Sequence, residues 1–390
     1  MGRLRQIRII ALLSLRSLHT RIRSSWVIVA ALTLVSVVLL STLSGAEGIK
    51  LAYVDAGHED RAMVLSAGAD REYSSSIPES SLSLIRNAPG IRKARDRTPL
   101  LDAQIYTIYG PLTKRSSQKP GYTGVRGIGP KGLEMSPEIK IVDGRAYEPG
   151  TREVLVGTTA RRKFTHVELG DKIKLLDGGD WTVVGHFSTA SFIDGDIVMD
   201  PLIMASALKR PGFSSVLIGL VRPESFAELD RALTANPALS VTVERQSDYW
   251  LRQLASLPST PLIVAYVVSV LLAAGASSGI MHTMQATVSS RAKEIAILRA
   301  VGFGGLPVAV SMVFEAMTFA CVGAAIGTAI DWLWLDGYAY NGAYGVFRME
   351  VTPHLLAVAV GWALVTAFLG AIAPAAQEAR VAVVDALGRA

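Results

Sequence analysis

Residues 289–303 read SSRAKEIAILRAVGF and lie between two long apolar runs. Ala292, Ile295, Leu298 and Val301 recur at helical spacing, which leaves Arg291, Lys293, Glu294 and Arg299 for a wetter face. Gly302 supplies a stop signal that Gly304 and Gly305 extend. The stretch therefore predicts a short amphipathic helix between two membrane spans. Two readings stay open on periodicity alone. It is either a basic loop that obeys the positive-inside rule or a handle for a partner.

The composition around it agrees with a membrane protein that carries a substantial polar part. Half of the 390 residues are hydrophobic and 18% are charged, and the mean hydropathy is +0.35. The formal net charge is +6. Much of the basic excess lies beside apolar runs, so it speaks for membrane orientation and not for a nucleic-acid partner. The single cysteine, Cys321, leaves no intramolecular disulfide and no cysteine metal cluster.

Residues 1–25 carry Arg3, Arg5, Arg8, Arg16, Arg21 and Arg23 without an acidic residue. Apolar residues at helical spacing make this an expected cytoplasmic amphipathic helix on the leaflet. Residues 26–46 follow as transmembrane helix 1, long for the apolar part of a signal peptide and so read as an uncleaved anchor. Further spans are expected at 261–284, 306–330 and 354–373. The segment 289–303 falls between the second and third. An aromatic loop, 331–353, separates the third and fourth, and 374–390 form a tail. The arginine-rich start and the basic 289–303 segment place both termini in the cytoplasm. The expected fold class is an α-helical membrane protein with four transmembrane helices. A large extracytoplasmic α+β domain, 47–256, is placed between the first and second.

That domain alternates like strands at 61–65, 103–108, 153–156, 172–175, 181–187, 197–199, 216–220 and 240–243. Residues 80–87 and 224–233 read as helices, and the polar tract 113–123 as a loop. Gly144, Gly157, Gly170 and Gly185 read as turn or close-packing residues. No catalytic constellation emerges: His58, His166 and His186 are scattered, and Asp194-Gly195-Asp196 reads as a polar turn. The sequence contains no GxxxxGK[ST] loop, so no nucleotide site is expected in it. The chain is read as non-enzymatic, with no cofactor or metal of its own. Within the third span, Glu315 is a costly carboxylate, buried or near an interface. Gly323 and Gly327 form a GxxxG packing face. In the second span, 273–279 is a small-residue stretch suited to close helix contact.

SSRAKEIAILRAVGF closely resembles the segment after the second transmembrane helix in MacB/FtsX-like ABC transporter permeases. The blocks IVDGRAYEPGTREVLVGTTARRKF (141–164) and LGDKIKLLDGGDWTVVGHF (169–187) resemble the family's extracytoplasmic domain. The end, PAAQEARVAVVDALGRA (374–390), is similar to its tail, and Glu315 matches the family's glutamate by position. The resemblance implies that Arg291, Lys293, Glu294, Ile295, Leu298 and Arg299 couple the chain to a cytoplasmic ABC ATPase dimer, which binds the ATP. It implies a permease homodimer in a bacterial inner membrane, working by mechanotransmission. Some relatives add a periplasmic adaptor protein and an outer-membrane channel. The long outer domain points to exporters of the DevC-like subtype. The alternative is an FtsX-like regulatory protein that controls an extracytoplasmic hydrolase.

Overall fold

A computed structural model describes residues 3–94, 96–290, 304–342 and 345–380. The chain divides into two units. One comprises Met1–Glu47, Pro258–Tyr338 and Met349–Ala390, and the other Gly48–Leu257 with Ala339–Arg348.

The first unit is helical. Helices Arg3–Val54, Thr260–Ser290, Gly305–Leu335 and Pro353–Arg380 contain four stretches long and apolar enough to span a membrane: Trp26–Val54, Ile263–Ser289, Gly305–Leu335 and Pro353–Gln377. At about 1.5 Å per residue each exceeds the hydrocarbon thickness. The expected boundary at residue 25 is not a break, because the first helix is continuous from Arg3 to Val54. Nor does Pro374 end the fourth helix, which runs on to Arg380. Small residues set the packing. Ala359, Ala363, Ala367, Ala371 and Ala375 form a fully buried stripe, one residue per turn, along the fourth helix. The Ser277 hydroxyl of the second helix donates to the Thr366 carbonyl at 2.9 Å. The small-residue stretch 273–279 is used on one face only. Ala276 is buried, whereas a Cβ at Gly275 or Gly279 would meet no described atom within 4 Å.

The second unit is built on a ten-stranded mixed sheet. Its strands are β1 (Arg61–Ser66), β3 (Leu101–Thr113), β4 (Pro120–Gly127), β5 (Lys140–Gly144), β6 (Glu153–Gly157), β7 (Lys172–Leu175), β8 (Gly179–Ser188), β9 (Ile197–Met199), β11 (Ser215–Gly219) and β12 (Val241–Arg245); β2 (Ile77–Pro78) and β10 (Gly212–Phe213) pair separately. The order is β12-β1-β11-β3-β4-β9-β6-β8-β5, with β7 on β8. β4 pairs parallel to β9, and β6 parallel to β8.

Both faces of the sheet are covered. Side chains alternate along a strand, so Ala62 and Val64 of β1 join Val216 and Ile218 of β11 in one core, beside Leu229 and Leu233 of helix Phe226–Thr234. Met63, Leu65 and Leu217 point the other way, into a core with Tyr53, Tyr249 and Trp250. The strands therefore read as continuous apolar runs. The tract 113–123 differs from its expected loop. β3 runs to Thr113 and β4 begins at Pro120, so the ladder, with Thr113 opposite Pro120, continues almost to the tip. Hydrogen bonding of a two-stranded edge does not require an apolar pattern, which is why the polar composition hid it.

Asp102 on β3 is buried and accepts from the backbone N–H of Gly129 at 3.1 Å and from Gln104 Nε2 at 3.0 Å. Burial pushes its carboxyl from 3.8 up to about 6, the hydrogen bonds offsetting only part of that. The folded state thus holds this proton more tightly than the unfolded one. The stability it contributes is full below pH 3.8 and is lost as pH rises through about 6. Two pKa units correspond to about 3 kcal/mol. Relative to Asp102→Asn, the wild-type protein should lose stability on that order between pH 4 and 7. Thermal unfolding across this range checks it, and a pH-independent difference would refute it.

Candidate functional site: the seam between the first and third membrane helices

Of the residues singled out in the sequence, Arg291, Lys293, Glu294, Ile295, Leu298 and Arg299 lie outside the described residues. The others, Glu315, Gly323 and Gly327, are all buried on the helix Gly305–Leu335. Glu315 is 4% exposed, one turn from Phe319, which packs with Ile28 and Leu32 of the first helix. It lies about 15 Å from the helix start at Gly305.

The two glycines sit where the helices touch backbone to backbone. A Cβ at Gly323 would stand 2.9 Å from the Val29 carbonyl oxygen, and one at Gly327 2.9 Å from that of Thr33. The Thr33 hydroxyl donates to the Gly323 carbonyl at 3.1 Å. One turn further on, Asp331 is fully buried and accepts from Ser41 Oγ at 3.1 Å. The seam is therefore Gly323-x3-Gly327-x3-Asp331 on one helix against Thr33, Val37 and Ser41 on the other. Each contact advances by about four residues on both helices, so the two run parallel at short range. The sequence reading ended the third span at residue 330 and assigned Asp331 to the outer loop. The helix continues to Leu335. The spacing of four from Gly327 was the signal that could have placed Asp331 in the seam.

Glycine gives close approach here and nothing else, since Gly327 has ordinary helical geometry. Gly327→Ala would force apart backbones that touch, at a cost of about 1–3 kcal/mol. Gly361→Ala on the fourth helix is the control, because a Cβ there meets no described atom within 4 Å. A thermal shift of the detergent-solubilised chain should fall for Gly327→Ala and stay level or rise for Gly361→Ala. Equal behaviour would show that Gly327 is not a close-contact position.

The Asp194-Gly195-Asp196 turn is structural. Asp194 accepts from Thr158 Oγ1 at 2.8 Å and from the backbone N–H of Thr159 and Thr189. Asp196 pairs with Arg126 at 2.8 Å.

Residues 266–381 match the FtsX-like permease C-terminal family. This range covers the second, third and fourth membrane helices, and with them Glu315 and both seam glycines. Over this stretch the chain is similar to FtsX-like permeases. It is 30% identical over 132 residues to the macrolide export ATP-binding/permease protein MacB of Chromobacterium violaceum, an alignment covering 33% of this chain and 19% of that protein. The chain thus spans about a fifth of the length of that curated relative. It is also similar to the extracellular domain of the noncanonical ABC-type transporter YknZ from Gram-positive bacteria. That likeness has a TM-score of 0.36 and 14% identity, and it covers 47% of this chain and 99% of the other. The contact of Gly323 and Gly327 with residues 29–37 involves the helix Arg3–Val54, which the family match does not reach.

Proposed function

We propose that this permease is the membrane subunit of an ABC transporter, energised by a separate cytoplasmic ATPase dimer that binds the ATP. The carrying observation is the match over residues 266–381. It encloses the charged segment 289–303, which joins the second and third spans. In this reading that segment receives the motion of the ATPase, and Glu315 tunes how the third helix responds to it. The parallel seam of the first and third helices lets the pair move as one body. Work is then delivered to the domain between the first and second spans, on the far side of a bacterial inner membrane. Export through a periplasmic adaptor and an outer-membrane channel is the activity proposed, by mechanotransmission in a permease homodimer. The basic start of the chain supports cytoplasmic termini, and the four candidate spans among the described residues, an even number, agree with both lying on one side.

The test combines topology with partner recovery. In a Cys321→Ser background, a membrane-impermeant maleimide should label Arg115→Cys in intact cells and Lys293→Cys only after permeabilisation. Mild-detergent purification should bring down an ABC ATPase. The reverse labelling pattern would overturn both the orientation and the ATPase reading.

A further inference from the structure

The domain between the first and second spans holds a cleft of about 300 Å³. Its walls are aromatic. Tyr53 and Phe192 stack with centroids 4.8 Å apart, Phe192 meets Trp250 edge-on at 4.8 Å, and Trp250 meets Tyr249 at 4.7 Å. Tyr106 lies under the Arg126 guanidinium at 4.2 Å.

The charges of the cleft are sorted by depth. Glu72 and Asp196 are buried at 3% and 7% exposure, and both are tied to Arg126, at 2.9 and 2.8 Å. Their charge is already engaged from within. The charged side chains of the lining that reach further out are cationic, Arg71 and Lys163. Beside them large apolar side chains stand in the open: Tyr73 is 53% exposed, Ile108 59% and Tyr122 69%.

Two of these features are built into the backbone. Gly110 carries no side chain, and a Cβ there would stand 2.5 Å from the Tyr122 ring. The bare strand lets that ring lie flat across it. Lys163 closes the helix Thr158–Lys163, and its ammonium donates to the Tyr122 carbonyl at 3.0 Å. An ammonium carries three donors, so it keeps hydrogens for a further acceptor. Burial first, and then the Lys114 charge, lower the pKa of Lys163. A bound anion would counter both effects.

We propose that this cleft is a binding site for a small amphipathic acid, an aromatic or branched apolar body bearing one carboxylate or phosphate. The body stacks on Tyr122, Tyr73 and Ile108, and the acid accepts from Lys163. A cation of the same shape would meet Arg71 and Lys163 at the mouth. It would find the carboxylates below occupied by Arg126. This site is independent of the ATPase reading, since its lining residues all lie within Gly48–Leu257.

The experiment is calorimetry on the full-length detergent-solubilised chain, with empty micelles as the reference. The probes share one ring: indole-3-propionate, its uncharged amide, and tryptamine. The acid should bind at least tenfold more tightly than the amine. Lys163→Gln should erase the acid's advantage over the amide, and Lys163→Arg should keep most of it. Ile108→Asp, which adds a carboxylate at the exposed mouth, should invert the order of acid and amine. Tryptamine binding as tightly as the acid would overturn the proposal. So would no detectable binding of the acid, or an unchanged acid preference in both Lys163→Gln and Ile108→Asp.

Discussion

Arg126→Ala is expected to cost the inter-span domain on the order of 3–5 kcal/mol, the range for removing one member of a buried charge pair. The Arg126 side chain is 5% exposed, and Glu72 and Asp196 are buried with it. Burial alone would lower its pKa, but the two carboxylates more than offset this and raise it above the ordinary arginine value. The cluster is also anchored beyond its own charges. Ser215 Oγ donates to Glu72 Oε1 at 2.9 Å, and the Glu72 backbone N–H donates to the Tyr249 hydroxyl at 3.1 Å. Alanine removes the cation and leaves two carboxylates in a dry site. The rest of the cost comes from lost stacking on Tyr106. If the charge argument holds, the triple variant Arg126→Met, Glu72→Gln, Asp196→Asn should recover more than half of the loss, because neutral groups of similar size no longer need the cation. The deficit of Arg126→Ala should also shrink on acidification, as the stranded carboxylates take up protons. Thermal unfolding of the full chain at neutral and mildly acid pH decides this. A single-variant loss below about 1 kcal/mol would show that Arg126 is an ordinary surface ion pair.

That cluster marks the limit of what the sequence made legible. Glu72, Arg126 and Asp196 come from a one-turn helix, from β4 and from the turn before β9. No local pattern links residues 72, 126 and 196. Each looks like a polar turn or strand residue until the sheet order brings the three together. The apolar strands were legible because alternation is local. β7 and β9 fall at the expected residues, and β1 and β11 within a residue or so of them. Close-packing glycines were legible for a different reason, since glycine is costly where it is not needed. Gly144 adopts φ +76°, and a Cβ at Gly157 would stand 2.1 Å from the Asp194 carbonyl oxygen. β4 was obscured by its polar composition. Asp331 was obscured by its charge, which reads as the end of a span. The membrane helices were the most legible of all, because lipid imposes a length and a composition on every residue of a span.

Replacing Ile295 and Leu298 together by aspartate is expected to abolish recovery of the ATPase and, with it, transport. Residues 291–303 lie outside the described ones, and this expectation follows from their sequence and from the proposed function. The sequence of this chain has no nucleotide loop, so in the proposed transporter the energy arrives through a contact with the ATPase. A docking helix needs an apolar face to enter a groove and charges at its rim to set orientation. Ile295 and Leu298 supply the face, while Glu294 and Arg299 supply the rim. Two carboxylates in a desolvated contact cost several kcal/mol, which weakens binding by orders of magnitude. Membrane insertion and permease association should survive, since neither uses this segment. A rival reading has the segment lying on the lipid surface, obeying the positive-inside rule and nothing more. It predicts altered lipid contact with unchanged ATPase recovery. A pull-down at equal permease loading separates the two, and normal recovery with the double-aspartate variant would reject residues 289–303 as the principal dock.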